Sequence, residues 1–402
     1  MPAAESSPMN DKPVADLPLI TLHPVADCHH AWSALLLDVP FDRTLLSRLF
    51  GELGLFDALG PLPCIVRVPD PADCLSDAAE LLPAEQMLLC LPGVLCADPR
   101  RADELIELRR QGFRLMAEGL SAGSTLPGDA VQSVALPCPA GPLPAEAAAW
   151  LSGRPGPHLA LGVDSSVAFS RCRDAGFRWF AGNYPLCQDA GRPPSGTTHQ
   201  ALLLRLLGLI ALDADAHALE EIFKQDAHLS YQLLRLVNSV AFSLSSKIAS
   251  FSQAITLLGR RQLQRWLQLL IYARSPGADT NPLMPRAALR AELMQTLCAR
   301  LGGNGDLQDK AFMVGMFSLL GHLLHMSTAD IISPLNLAED VIGALLERRG
   351  ILGRLLAVVE ISEAGNGPEL AAALAADGLD AADWSGALIE SYHWAIRVSQ
   401  EA

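Results

Sequence analysis

The first half of the chain alternates short apolar runs with stretches of helical periodicity. The runs at 17–22, 32–39, 64–68, 87–91, 113–117, 131–136, 158–162 and 179–181 have strand length. Most stop at Pro, Gly or Asp, as buried strands do. Between them, 101–111 carries Leu105 and Leu108 on one face and stops at Gly112. The stretch 165–175 sets Val167, Phe169 and Cys172 against Arg171 and Arg173. Strand–helix alternation predicts an α/β domain with a largely parallel sheet, and eight runs suggest a barrel. A Pro/Gly/Ser/Thr stretch at 191–198 breaks the pattern and reads as a linker. From 199 onward only helical periodicity remains. Leu229, Leu233, Leu236 and Val237 form one stripe, and Leu263, Trp266, Leu267 and Leu270 a second. Further helices are expected at 287–301, 309–325, 337–348, 351–363 and 381–398. The predicted organisation is a flexible 1–17, an α/β domain at 18–190, a linker at 191–198 and an all-α domain at 199–402.

Composition narrows the function classes. Half of the 402 residues are hydrophobic and 18% are charged, which excludes a largely disordered chain. Lys and Arg total 30 against 44 Asp and Glu, a net charge of −14, so a broad grip on nucleic acid is not expected. The apolar run 201–212 is interrupted by Arg205 and is too short to span a membrane. Residues 1–16 are polar and do not read as a signal peptide. Nine cysteines without a Cys-x-x-Cys pair fit reduced, mostly buried thiols and a cytoplasmic protein. The triplet Cys28-His29-His30 reads as a surface turn, because adjacent side chains cannot all face one ion.

The densest signal lies between Asp226 and Gly259. An Asp is followed by a helix ending in Leu236-Val237-Asn238-Ser239. A short link, Ile248-Ala249-Ser250, leads to Ser252 and then Ala254-Ile255-Thr256-Leu257-Leu258-Gly259. This pattern resembles the HDOD domain, a helical relative of the HD phosphohydrolases. Read by themselves, Asp226, Ser250 and Ser252 suit helix N-caps, and Asn238 and Gly259 suit helix ends. A binding role for Asn238 stays open beside that. The HD relatives hold metals on His and Asp ligands. Here His322 and His325 share a helix face, no adjacent His-Asp pair occurs, and Ser318-Leu319-Leu320-Gly321 ends in Gly where relatives carry Asp. A metal site is not expected in this half. Arg235, Lys247, Arg260, Arg261 and Arg265 make a candidate patch for phosphate or an acidic partner, against the plainer reading of a solvated helix face.

An HDOD domain after an α/β barrel resembles the EAL–HDOD signalling proteins, whose EAL barrels hydrolyse cyclic di-GMP with Mg²⁺ or Mn²⁺. The likeness is colinear. It runs from His23-Pro24-Val25-Ala26-Asp27 through Ser33-Ala34-Leu35-Leu36-Leu37 and Gly112–Gly119 to Gly176-Phe177 and Gly182-Asn183-Tyr184. The resemblance puts Ser33 where the signature Glu stands and Leu37 where its Arg stands. Arg67 falls near the Asn of the third strand, and Cys90 replaces the next Glu. Glu118 and Gly119 stand for the paired Asp residues, and Ala135 lies near the Lys of the following strand. Asp164 takes the place of a later Glu, and Ala181 that of the closing Gln. Two carboxylates cannot build a two-metal site. The expectation is therefore a degenerate barrel with no catalytic residue, metal or cofactor, in a protein that is not an enzyme. Such a protein would be a signalling scaffold that recognises a sensor, a diguanylate cyclase or another regulator. A receptor for cyclic di-GMP or another small ligand is the alternative, with a divergent phosphodiesterase behind it.

Overall fold

The computed structural model describes residues 18–401 apart from 76–81, 127–128, 139–142, 188–197, 212–213, 224, 226–228, 230–250 and 273–280. The expected N-terminal segment and nearly all of the expected linker lie outside the described residues.

Eight strands close into a barrel in sequence order. They are β1 (Thr21–Asp27), β2 (Trp32–Asp38), β3 (Cys64–Arg67), β4 (Met87–Pro92), β5 (Arg114–Glu118), β6 (Ser133–Pro137), β7 (Leu159–Leu161) and β8 (Trp179–Ala181). All neighbours are parallel except β1, which runs antiparallel to both β2 and β8. Alternation sorts the side chains. Val25, Ala34, Leu36, Ile65, Leu88, Met116, Leu159 and Trp179 fill the lumen. Leu35, Leu37, Val66, Leu89, Leu115 and Phe180 face outward into the main core. The first strand differs from expectation, lying at Thr21–Asp27 and not at 17–22. Its polar His23 and Asp27 hide it from a hydrophobicity count. Pairing decides instead: Leu22 lies opposite Leu37, and Val25 opposite both Ala34 and Ala181.

Cys28-His29-His30 forms the tight β1–β2 turn, with Asp27 Oδ1 accepting from the His29 and Ala31 amides. Cys138 and Cys172 form a disulfide, which corrects the expectation of reduced thiols throughout. Cys138 directly follows β6 and Cys172 sits on the helix Ser166–Asp174, both buried outside the lumen.

Beyond residue 198 every described element is helical. The Leu283–Arg300 helix starts earlier than expected, because Pro285 falls in its first turn, where no amide hydrogen is needed. The stretch expected as one helix at 309–325 is two, Gly305–Phe317 and Leu320–Leu324, and the second stops at His325 in a left-handed conformation. Within Phe251–Leu270 the backbone leaves helical geometry at Gly259 (φ 72°). No single helix among the described residues is long and apolar enough to cross a membrane.

The two halves share one buried core. β8 pairs only with Val25–Asp27, so it does not reach the carbonyls of Ile20 and Leu22. The Ala381–Glu401 helix supplies their partners. Trp384 Nε1 donates to Ile20 O (2.9 Å), and the Tyr392 hydroxyl donates to Leu22 O (2.6 Å). Tyr392→Phe is therefore expected to cost about 1–2 kcal/mol, since it leaves a buried carbonyl unpaired. A urea midpoint unchanged from the wild type would contradict this.

Candidate functional site

Parallel barrels present their working ends where the strands terminate. At that mouth, strand parity brings His23, Asp38, Arg67, Cys90 and Glu118 together from β1 to β5. Arg67 holds Glu118 with two hydrogen bonds, Nε to Oε2 at 2.9 Å and Nη2 to Oε1 at 3.1 Å. Its Nη1 reaches Asp38 Oδ1 at 3.4 Å, and His23 Nε2 lies 3.9 Å from the other Asp38 oxygen. The Cys90 thiol donates to Glu118 Oε2 at 3.3 Å. His23 and Arg67 hold the Asp38 carboxyl below its usual range, against partial burial. The hydrogen bonds to Glu118 raise Arg67 further above its already high value. Burial, then the neighbouring Glu118, pushes the Cys90 thiol well up, so it stays protonated.

Of the residues placed by resemblance, Arg67, Cys90, Glu118, Ala135 and Ala181 come together in the lumen or at its mouth. Ser33 and Leu37 do not. The β1–β2 register shifts beside Ala26, one extra residue is absorbed at Ser33, and Ala34, Leu36 and Asp38 turn inward. Ser33 instead bonds the Ala31 carbonyl, and Leu37 packs outward. Asp38 is thus a mouth carboxylate that the sequence reading missed. Gly119 turns the chain after β5 with φ 73°. Asp164 accepts from the Asn183 amide (2.9 Å) and so positions the loop after β8.

The resemblance implies a divalent-cation site, and these residues do not fit one. Glu118 is bound on both oxygens by Arg67, and Asp164 holds backbone. Among the described residues no three His, Cys, Asp or Glu side chains converge on a point where an ion could sit.

In the helical half, Asp226, Asn238, Ser239, Ser250, Arg235 and Lys247 lie outside the described residues. Ser252, Ala254 and Arg260 lie on the Phe251–Leu270 helix. Of the expected basic patch, Arg261 and Arg265 have described ion pairs. Both point to Asp309 on the Gly305–Phe317 helix, at 2.5 and 2.7 Å, and Arg265 also lies over the Phe312 ring. The Arg261 side chain remains 57% exposed and that of Arg265 24%. His322 and His325 line a polar cavity of about 490 Å³ beside Arg290, Arg348 and Glu360. Burial, then the charge of Arg290, pushes the His322 imidazole below its usual pKa.

A second polar cluster escaped the sequence reading. Arg290 is 5% exposed. It bonds both oxygens of Glu363 (2.8 and 2.6 Å) and Ser318 Oγ (2.9 Å). One turn earlier, Arg286 donates to Asn183 Oδ1 (3.0 Å) and to the Gly182 carbonyl (2.6 Å), at the end of β8. The available signal was two arginines four residues apart in the apolar stretch 283–294.

Comparison with known proteins gives a family match, two curated relatives and a solved structure. Residues 201–333 match the HDOD domain. The chain is 29% identical over 243 residues to the cyclic di-GMP phosphodiesterase CdgJ of Vibrio cholerae, covering 60% of this chain and 56% of that protein. It is 29% identical over 216 residues to the uncharacterized protein YuxH of Bacillus subtilis, covering 52% and 51%. The chain thus spans about half the length of the curated relatives it matches. Among solved structures, the EAL domain of Mycobacterium smegmatis DcpA overlays at a TM-score of 0.34 and 16% identity, over 41% of this chain and 88% of that one. That overlap is too slight to bear on the fold, which rests on the strand pairing above. The likeness to CdgJ corrects the expectation that the chain is not an enzyme. That relative is named a phosphodiesterase, so the missing ligand set is no ground for excluding enzymatic function.

Proposed function

We propose that this signalling protein, an EAL-like barrel joined to an HDOD domain, works in the cyclic di-GMP system. In this reading the barrel mouth faces the nucleotide and the helical domain reads the state of the mouth. The observation that carries it is the grip of Arg286 on Gly182 and Asn183, where β8 ends. The Asn183 amide group also reaches the Glu363 carbonyl (3.4 Å), so the same loop meets the Arg290–Glu363 pair. A ligand that shifts the β8 end must shift these contacts, which gives the two domains a physical link.

The name of the relative CdgJ supplies the ligand class. Arg67 is a cation at the mouth, and a phosphodiester would compete with Glu118 for its fork of donors. The helical domain would pass the signal to a protein partner such as a sensor, a diguanylate cyclase or another regulator.

The test is calorimetric titration of the full chain with cyclic di-GMP, with and without Mn²⁺, alongside chromatography for the linear dinucleotide. Micromolar binding is expected, weakened about tenfold or more in Arg67→Ala. Absence of binding at millimolar nucleotide would overturn the proposal. Linear product above the blank would extend it to the chemistry named for the relative.

A further inference from the structure

Arg286 carries a full positive charge at 8% exposure. Both of its hydrogen bonds go to neutral oxygens, on Asn183 and Gly182. Among the described residues no carboxylate forms an ion pair with it. Glu363 acts on it through space, but both Glu363 oxygens are bound by Arg290. Glu360, 3.9 Å from Arg290, is held on both oxygens by Arg348. Three guanidinium groups therefore face two carboxylates, and one buried positive charge is left over. A buried charge without a counter-ion is strongly disfavoured.

Arg286 also lines a cavity of about 230 Å³ between the barrel and the helical domain. Leu289, Leu293 and Trp384 give this cavity an apolar wall, and Tyr392 borders it. A charged group beside an apolar wall is how sites for small organic ions are built. The cavity shares His23 with the barrel mouth, and it is also lined by Glu363, whose two oxygens are already bound by Arg290.

We propose that this cavity binds a small organic anion, a carboxylate or phosphate head on a compact apolar body, with the head on Arg286. The anion would supply the missing counter-charge, and its body would cover the leucines and Trp384. Because Arg286 also grips the end of β8, occupancy would change that grip. Only this regulatory consequence rests on the function proposed above. Binding at the cavity does not, so the nucleotide titration can fail while this one succeeds.

The experiment is thermal unfolding and calorimetry of the full chain with three probes. Sodium benzoate has the head and the body. Benzylammonium chloride has a similar body and the opposite charge. Inorganic phosphate has a head alone. Benzoate is expected to raise the unfolding temperature saturably, benzylammonium to leave it unchanged, and phosphate to bind more weakly. Arg286→Gln is expected to weaken benzoate about tenfold or more. Ser362→Leu, which fills the cavity from its wall and leaves Arg286 in place, is expected to abolish the shift and keeps the test alive if Arg286→Gln does not fold. Equal shifts from benzoate and benzylammonium, or undiminished benzoate binding in either variant, would overturn the proposal. Phosphate binding as tight as benzoate would overturn the apolar body.

Discussion

Glu363→Ala is expected to destabilise the protein by about 3–5 kcal/mol, the usual cost of breaking a buried ion pair from one side. Its partner Arg290 has a side chain only 6% exposed, against 16% for Glu363, so the stranded guanidinium cannot turn to water. Ser318 Oγ would remain as its neutral partner. Replacing both partners with methionine is expected to recover most of the loss, because a matched apolar pair needs no counter-charge. The pair also sets a pH dependence. Burial pushes the Glu363 carboxyl upward, but the charge and hydrogen bonds of Arg290 pull it down further, and the net position is below the usual range. A carboxyl depressed in the folded state stabilises fully above its unfolded value, about 4.3. That stabilisation is lost as the pH falls through the folded value. Urea midpoints measured from pH 7 down to 3 should therefore fall more steeply in the wild type than in Glu363→Ala. Parallel slopes would show that the pair does not titrate with folding.

The barrel was legible because buried strands are local objects. A run such as 64–68 is apolar apart from Arg67 and flanked by Pro63 and Pro69, and it becomes β3 at Cys64–Arg67. The misplaced first strand shows where this stops. A strand with one end at a polar mouth, carrying His23 and Asp27, is recognised only through its partners. Side-chain direction on β2 was hidden for a related reason. One absorbed residue at Ser33 reverses which positions face the lumen, so Asp38 replaces Leu37 at the mouth. Carboxylate pairing was out of reach. Arg67 meets Glu118 across 51 residues, and Arg290 meets Glu363 across 73. Arg261 and Arg265 teach the converse lesson. A run of cations on one helix can be drawn to a single acid on a packed neighbour, here Asp309. The lack of a metal-ligand set, read from the alignment, was no sufficient basis for excluding enzymatic function.

Gly182→Ala is expected to cost about 2–4 kcal/mol, from overpacking against backbone that cannot yield. A Cβ at this position would stand 2.3 Å from the Val163 carbonyl oxygen and 2.4 Å from its nitrogen. Neither group can retreat freely. The Val163 amide donates to Ala181 O (3.0 Å), and its carbonyl accepts from the Tyr184 amide (2.9 Å). The clash must therefore move the end of β8, and with it the Gly182 carbonyl that Arg286 holds. Gly119→Ala is the control. It too has a positive φ, 73°, but a Cβ there meets nothing within 4 Å. Only backbone strain remains, about 1–2 kcal/mol. If close approach at β8 is what locks the barrel to the helical domain, Gly182→Ala should lower the urea midpoint more than Gly119→Ala. It should also hasten proteolytic cleavage between the halves, while Gly119→Ala leaves that rate unchanged. Equal losses and equal cleavage would reduce Gly182 to a turn residue and remove the steric basis for the link between mouth and helices.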